Sequence, residues 1–129
     1  MQAKHNFNSI DLARIKELEE FDSDGDGTFL DSILNLYLQE SPQIISKISL
    51  HLSAGKIQEV QRAAHSLKSS SANIGAAILA GFCKDLELST MPLGDFTEAN
   101  LKLLFEKIQN EFSNCEKEIK KLIRVQAKS

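Results

Sequence analysis

Apolar residues recur at three- and four-residue spacing in five stretches of this 129-residue chain, and nowhere do they alternate with polar residues as a half-buried strand requires. Ile10, Leu12, Ile15, Leu18 and Phe21 mark a first helix, with Asn8 or Ser9 as its candidate cap. It ends before Asp22-Ser23-Asp24-Gly25-Asp26-Gly27, a segment of turn formers. Phe29, Ile33, Leu36, Tyr37, Ile44, Ile45, Ile48 and Leu52 mark a long second helix, opened by Thr28 with Asp31 three residues on in the manner of a capping box. Pro42 falls inside it. Because proline lacks an N–H and crowds the preceding turn, the pattern predicts either a kink near Ser41 or two abutting helices with Ser41 capping the second. Ala54-Gly55 closes that stretch, and a third helix runs from Lys56 to about Asn73. Gly75 permits a tight junction to a fourth helix carrying Ile78, Leu79, Phe82, Leu86 and Leu88. After the break at Thr90-Met91-Pro92-Leu93-Gly94, Thr97 caps a last helix. Its stripe, Leu101, Leu104, Phe105, Ile108, Phe112, Cys115, Ile119 and Leu122, runs along a helix of about 28 residues, roughly 42 Å.

Four amphipathic helices with short connections bury one stripe apiece most simply as an antiparallel up-down four-helix bundle. The first helix is then an additional N-terminal lid. The expectation is an all-α single domain over residues 1–129, with its core between about residues 9 and 125. Composition agrees, since the absence of tryptophan and the presence of only two prolines favour helices over a sandwich. The formal net charge of −3, from 15 basic and 18 acidic residues, gives no broad basic face for nucleic acid. Lys117, Lys120, Lys121, Arg124 and Lys128 do gather near the C-terminus, but Glu116 and Glu118 are interleaved and cations complement a helix's last turns. They read as a solvated helix end. No run of about 18 apolar residues occurs, and Met1-Gln2-Ala3-Lys4-His5-Asn6 leads into no signal-peptide core, so membrane insertion is not expected and the chain reads as a cytoplasmic monomer. Cys83 and Cys115 show neither a CxxC nor a Cys-His spacing and read as reduced core thiols; no metal site of the chain's own is expected.

The third helix carries the chemistry. At 100° per residue, Val60, Ala63, Leu67 and Ile74 fall between about 140° and 180° from His65 and form the buried stripe. Gln58, Gln61, Arg62, Lys68, Ser69 and Ala72 lie within roughly 60° of His65, and Ser69 and Ala72 are too short to cover an imidazole. His65 is therefore placed on the wet side, accessible to a partner. An unperturbed imidazole, with a pKa near about 6.5, is largely neutral at neutral pH and keeps a nucleophilic lone pair.

The residues Ala64, His65, Leu67, Lys68, Ser69, Ser71, Ala72, Gly75 and Ala76 resemble the signature of the histidine-containing phosphotransfer (HPt) domain of two-component phosphorelays, with Ser69 where glycine is commoner. The resemblance extends more weakly through Phe29-Leu30, Leu36-Tyr37-Leu38-Gln39-Glu40-Ser41-Pro42 and Leu86-Glu87. It implies that His65 accepts a phosphoryl group from a receiver-domain aspartate and passes it to another. The partners it implies are response-regulator receivers and a hybrid sensor histidine kinase. It implies no cofactor on this chain, magnesium being carried by the receiver. Lys68, on the same helix face, is placed to compensate phosphoryl charge, Gln58, Gln61, Arg62, Ser69 and Ala72 to form the docking face, and Gly75 to serve structure. With no Gly-rich phosphate loop and no kinase motif, the chain is expected to carry phosphoryl groups without kinase activity of its own.

Other readings fit the residues less well. An adaptor bundle with an incidental His65 leaves Lys68, Ser69 and Gly75 unexplained. The phosphoacceptor domain of a chemotaxis-type kinase, by resemblance, tends to carry an aromatic where Ile74 stands. His5 and His51 lack a small-residue neighbourhood, and Ser69, Ser70 and Ser71 lack an activating base. The Asp22–Gly27 segment matches the first half of an EF-hand calcium loop, but Ile33 stands where the closing bidentate glutamate belongs and Leu30 offers no oxygen. A plain helix-connecting turn is the expectation there.

Overall fold

The computed structural model describes residues 7–128 except 23, 24 and 26, with side chains described through residue 123. It contains α1 (Leu12–Glu19), α2 (Thr28–Ser53), α3 (Ile57–Asn73), α4 (Ala77–Ser89) and α5 (Glu98–Lys128), and no strand among the described residues. The chain is all-α. Helix α3 packs against α2 and α4, and α5 packs against α4 and α2, so four helices enclose one core, to which α1, lying on α2, adds Ile15 and Leu18. Connections of three residues at 54–56 and 74–76 fit the expected up-down arrangement. No described helix is long and apolar enough to cross a membrane.

The stripes are buried largely as the periodicity predicts. Leu30, Leu34, Tyr37 and Ile48 of α2, Val60, Leu67 and Ile74 of and just after α3, Leu79, Cys83 and Leu86 of α4, and Leu101 through Ile119 of α5 form the core. Ala64 and Ser71 complete the α3 stripe, with Ala63 only partly buried. Burying each large aliphatic contributes about 1.5–3 kcal/mol, which fixes the rotation of α3 about its axis and turns the opposite face to solvent. Leu12, Phe21, Phe29, Leu36, Ile78 and Leu88, counted among the apolar positions of their helices, are instead exposed. Phe21 lies past the end of α1, and the others fall outside the buried arc of their helices.

The starts of α1 and α2 differ from the sequence reading. Asp11, not Asn8 or Ser9, caps α1, its side chain accepting from Ala13 N–H at 3.0 Å. The backbone N–H groups of Asn8, Ser9 and Ile10 donate to the Glu118 carboxylate of α5 at 2.8–3.2 Å, pinning the N-terminal segment to the bundle. For α2 the N-cap is Gly27, with no side-chain cap bond, in place of the Thr28–Asp31 box. Asp22 reaches across the turn instead and accepts from Gly27 N–H at 2.8 Å and Gly25 N–H at 3.2 Å. That carboxylate serves the turn; Ser23, Asp24 and Asp26 of the calcium-loop pattern lie outside the described residues, as do His5 and the side chains of Arg124 and Lys128.

Helix α2 runs unbroken through Pro42, so the two-helix alternative is corrected: Ser41 is a buried interior residue and caps nothing. At its far end Lys56 N–H donates to His51 C=O and Gly55 N–H to Leu52 C=O, a Schellman closure. The same closure ends α3, with Ala76 N–H on Ser71 C=O at 2.8 Å and Gly75 at φ +86°. A Cβ on Gly75 would lie 3.0 Å from Asp11 C=O and 3.1 Å from Arg14 Cβ, so only glycine lets α1 approach. The approach is sealed by Asp11 N–H on Gly75 C=O at 2.9 Å and by the Arg14 guanidinium on Asn73 C=O at 2.8 Å.

Candidate functional site

Helix α3 presents His65 outward, its side chain 60% exposed, nearly three turns before the Gly75 closure. Behind it, Ser71 is fully buried and its hydroxyl meets the Tyr37 hydroxyl at 2.7 Å, tying α3 to α2 beneath the site. Burial pushes the Tyr37 hydroxyl pKa well above its ordinary value, so it stays protonated. Ser70, by contrast, bonds back to Leu67 C=O, the usual arrangement for a mid-helix serine.

The residue that the sequence reading did not single out for the site is Glu87. It projects from α4 with its side chain 11% exposed, one oxygen 2.9 Å from His65 Nδ1 and the other 2.7 Å from Lys68 Nζ. Burial alone would raise its pKa, but the hydrogen bonds and charges of Lys68 and His65 overcome burial and hold the carboxyl below the ordinary glutamate value. An ionised carboxylate only accepts, so His65 Nδ1 carries the hydrogen and donates it. In the neutral ring this places the lone pair on Nε2. Lys68, expected to compensate phosphoryl charge, is paired with Glu87 in this structure and 29% exposed. Only the inter-helix register between α3 and α4 reveals this; the pairing Leu86-Glu87 was visible as family resemblance without a role.

Gln58, Gln61, Arg62, His65 and Glu87 line an open depression of about 490 Å³. Ser69 and Ala72, both exposed, continue the same helix face on the C-terminal side of His65 without lining it. Arg62 pairs with Glu59 at 2.8 Å on the exposed edge. All five proposed docking residues therefore share one face with His65, and Gly75 is placed as a structural residue. His51 lies at the far end of α2. Cys83 and Cys115 are free and buried, and burial pushes each thiol up to about 12. Among the described residues no group of three or more His, Cys, Asp or Glu side chains is arranged to hold a metal ion.

Comparison with known proteins agrees with this geometry. The Hpt domain family model matches residues 32–119. Among solved structures, the crystal structure of histidine-containing phosphotransfer protein B (HptB) from Pseudomonas aeruginosa PAO1 is similar to this chain at 28% identity and a TM-score of 0.80, covering 90% of this chain and 95% of that one. No curated protein matches. A helical bundle of this shape, matched over most of its length, identifies the chain: it belongs to the Hpt domain family, the histidine phosphotransfer domains of two-component phosphorelays.

Proposed function

We propose that this chain relays phosphoryl groups between receiver-domain aspartates through a phosphohistidine at Nε2 of His65. The observation that carries the reading is the Glu87 carboxylate on His65 Nδ1, 2.9 Å away, beside an open approach to Nε2. On acceptance, Nε2 forms a bond to phosphorus as the P–O bond to the receiver's aspartyl carboxylate breaks, and the carboxylate leaves with the electron pair. Nδ1 keeps its hydrogen throughout, and Glu87 stabilises the cationic ring that forms. Donation to a second receiver retraces the same steps, the ring leaving as neutral imidazole.

Lys68 compensates the charge of the phosphoryl group, shifting from Glu87 toward the new anion one turn away. Gln58, Gln61, Arg62, Ser69 and Ala72 form the surface on which the receiver sits. Magnesium belongs to the receiver, and the chain supplies no kinase activity: it has a nucleophile and its orienting groups and relies on the partner for the rest. It acts as a cytoplasmic monomer that also serves a hybrid sensor kinase. The test is labelling by a phosphorylated receiver. The wild-type protein should take up acid-labile phosphate and His65→Gln should take up none; label retained by His65→Gln would sink the assignment.

A further inference from the structure

The turn after α4 is built at the cost of local stability. Met91-Pro92-Leu93-Gly94 closes on a 2.8 Å hydrogen bond from Gly94 N–H to Met91 C=O, and Leu93 has φ +73°. Proline cannot take a positive φ at the second position, so this is a type II turn, whose third position ordinarily belongs to Gly or Asn. Leucine suits it poorly on two counts: its backbone is strained there, and its side chain is fully exposed, so no burial offsets the strain. A Cβ on Gly94 would run into the carbonyl oxygens of Leu88 and Ser89, which shows how closely the turn folds back on α4. Stability does not account for Leu93.

The turn touches the histidine's surroundings through one residue. Met91 Sδ lies 3.5 Å from Gln61 Nε2, and Gln61 lines the depression that holds His65 and Glu87. Leu88, half exposed, follows Glu87 on the outward side of α4. Leu88, Met91 and Leu93 are the apolar rim of a neighbouring open depression, called the ridge below, and Met91 joins it to the wall formed by Gln61. We propose that this ridge is a specificity-determining docking surface for the receiver domain that exchanges phosphoryl with His65, an inference that rests on the relay function above. A receiver that covers the depression and extends past Gln61 onto Met91 buries these exposed side chains, which anchors the partner and excludes water from the phosphoryl group.

The experiment uses the receiver that transfers fastest to the wild-type protein in a panel of phosphorylated receiver domains from the source organism. Leu93→Gly and Leu88→Asn should each raise the half-saturating receiver concentration at least fivefold while leaving the rate at saturation within twofold. Leu93→Gly should also melt at the same temperature as wild type or higher, because glycine relieves the positive φ. Leu103→Asn, an exposed leucine on α5, should change neither quantity. Phosphoramidate supplies the control for chemistry without docking: its P–N bond breaks, ammonia leaves and the phosphoryl group bonds to His65 Nε2, at the wild-type rate in both ridge variants. Unchanged half-saturation in the ridge variants overturns the ridge alone, as does a loss mirrored with phosphoramidate or a changed oligomeric state without loss of transfer. A wild-type protein labelled by phosphoramidate and by no receiver overturns the relay function and the ridge with it.

Discussion

Replacing Glu87 by Gln removes one charge and leaves the shape, which isolates what the carboxylate does. The amide has one acceptor oxygen and one NH₂, so it can serve His65 Nδ1 or Lys68 Nζ but presents a donor to the other. A charge-assisted hydrogen bond is worth about 1.5–3 kcal/mol when its partners stay desolvated. Here His65 and Lys68 are 60% and 29% exposed and regain water, so the stability loss should be only about 1 kcal/mol. The kinetic loss should be larger, because the ring is freed to place its hydrogen on Nε2, where it blocks attack. Partners that orient a reacting imidazole typically matter by tenfold to a hundredfold, about 1.4–2.8 kcal/mol in the barrier. Single-turnover transfer from a phosphorylated receiver, measured by rapid quench, should slow at least tenfold, and nitrogen NMR of His65 should show the Nε2–H tautomer increasing. The two proteins should also diverge with pH. Because the Glu87 pKa is lowered on folding, its stabilisation is fully present above the unfolded glutamate pKa of about 4.3 and is lost as pH falls through the lower folded value. The difference in melting temperature between wild type and Glu87→Gln should therefore hold at pH 6 and vanish in stronger acid. An unchanged tautomer ratio together with unchanged transfer would refute this reasoning.

Three further substitutions probe the surroundings. Lys68→Ala should slow transfer or shorten the phosphohistidine half-life about five- to thirtyfold, a contact worth roughly 1–2 kcal/mol, with Lys68→Arg retaining more function; equal values for wild type and Lys68→Ala would return the lysine to a purely structural pairing with Glu87. Ala72→Arg, on the exposed face, should leave helical circular dichroism and the melting temperature nearly unchanged while slowing receiver transfer at least tenfold. Gly75→Ala places a Cβ against Asp11 and Arg14 at φ +86°, so chemical denaturation should show a loss of about 2 kcal/mol; a stability equal to wild type would mean that α1 does not dock closely on that junction.

The sequence makes the helices legible because a 3.6-residue period survives without knowledge of the neighbours, and it makes the outward placement of His65 legible for the same reason: Val60, Leu67 and Ile74 fix which face is buried. What it conceals are contacts whose two ends lie on different elements. Glu118 satisfies the amides of residues 8–10 from more than a hundred residues away, and no local cap rule anticipates it. Glu87 meets His65 across 22 positions, at a register set by how α4 packs on α3. Pro42 misleads in the other direction: its missing N–H predicts a break, yet packing on both sides of it, through Tyr37, Ser41 and Ile48, keeps α2 continuous. The exposed flank residues Leu12, Ile78 and Leu88 show the same limit, since periodicity gives the direction of a stripe and not its width.

The central claim is that phosphorus bonds to Nε2 of His65 while Nδ1 remains hydrogen-bonded to Glu87. Histidine-nitrogen-labelled protein, phosphorylated by a receiver and observed by phosphorus–nitrogen NMR at alkaline pH, tests it directly. The account predicts one phosphorus–nitrogen coupling, to Nε2 of His65, absent from His65→Gln; coupling to Nδ1, or to a histidine other than His65, would contradict it.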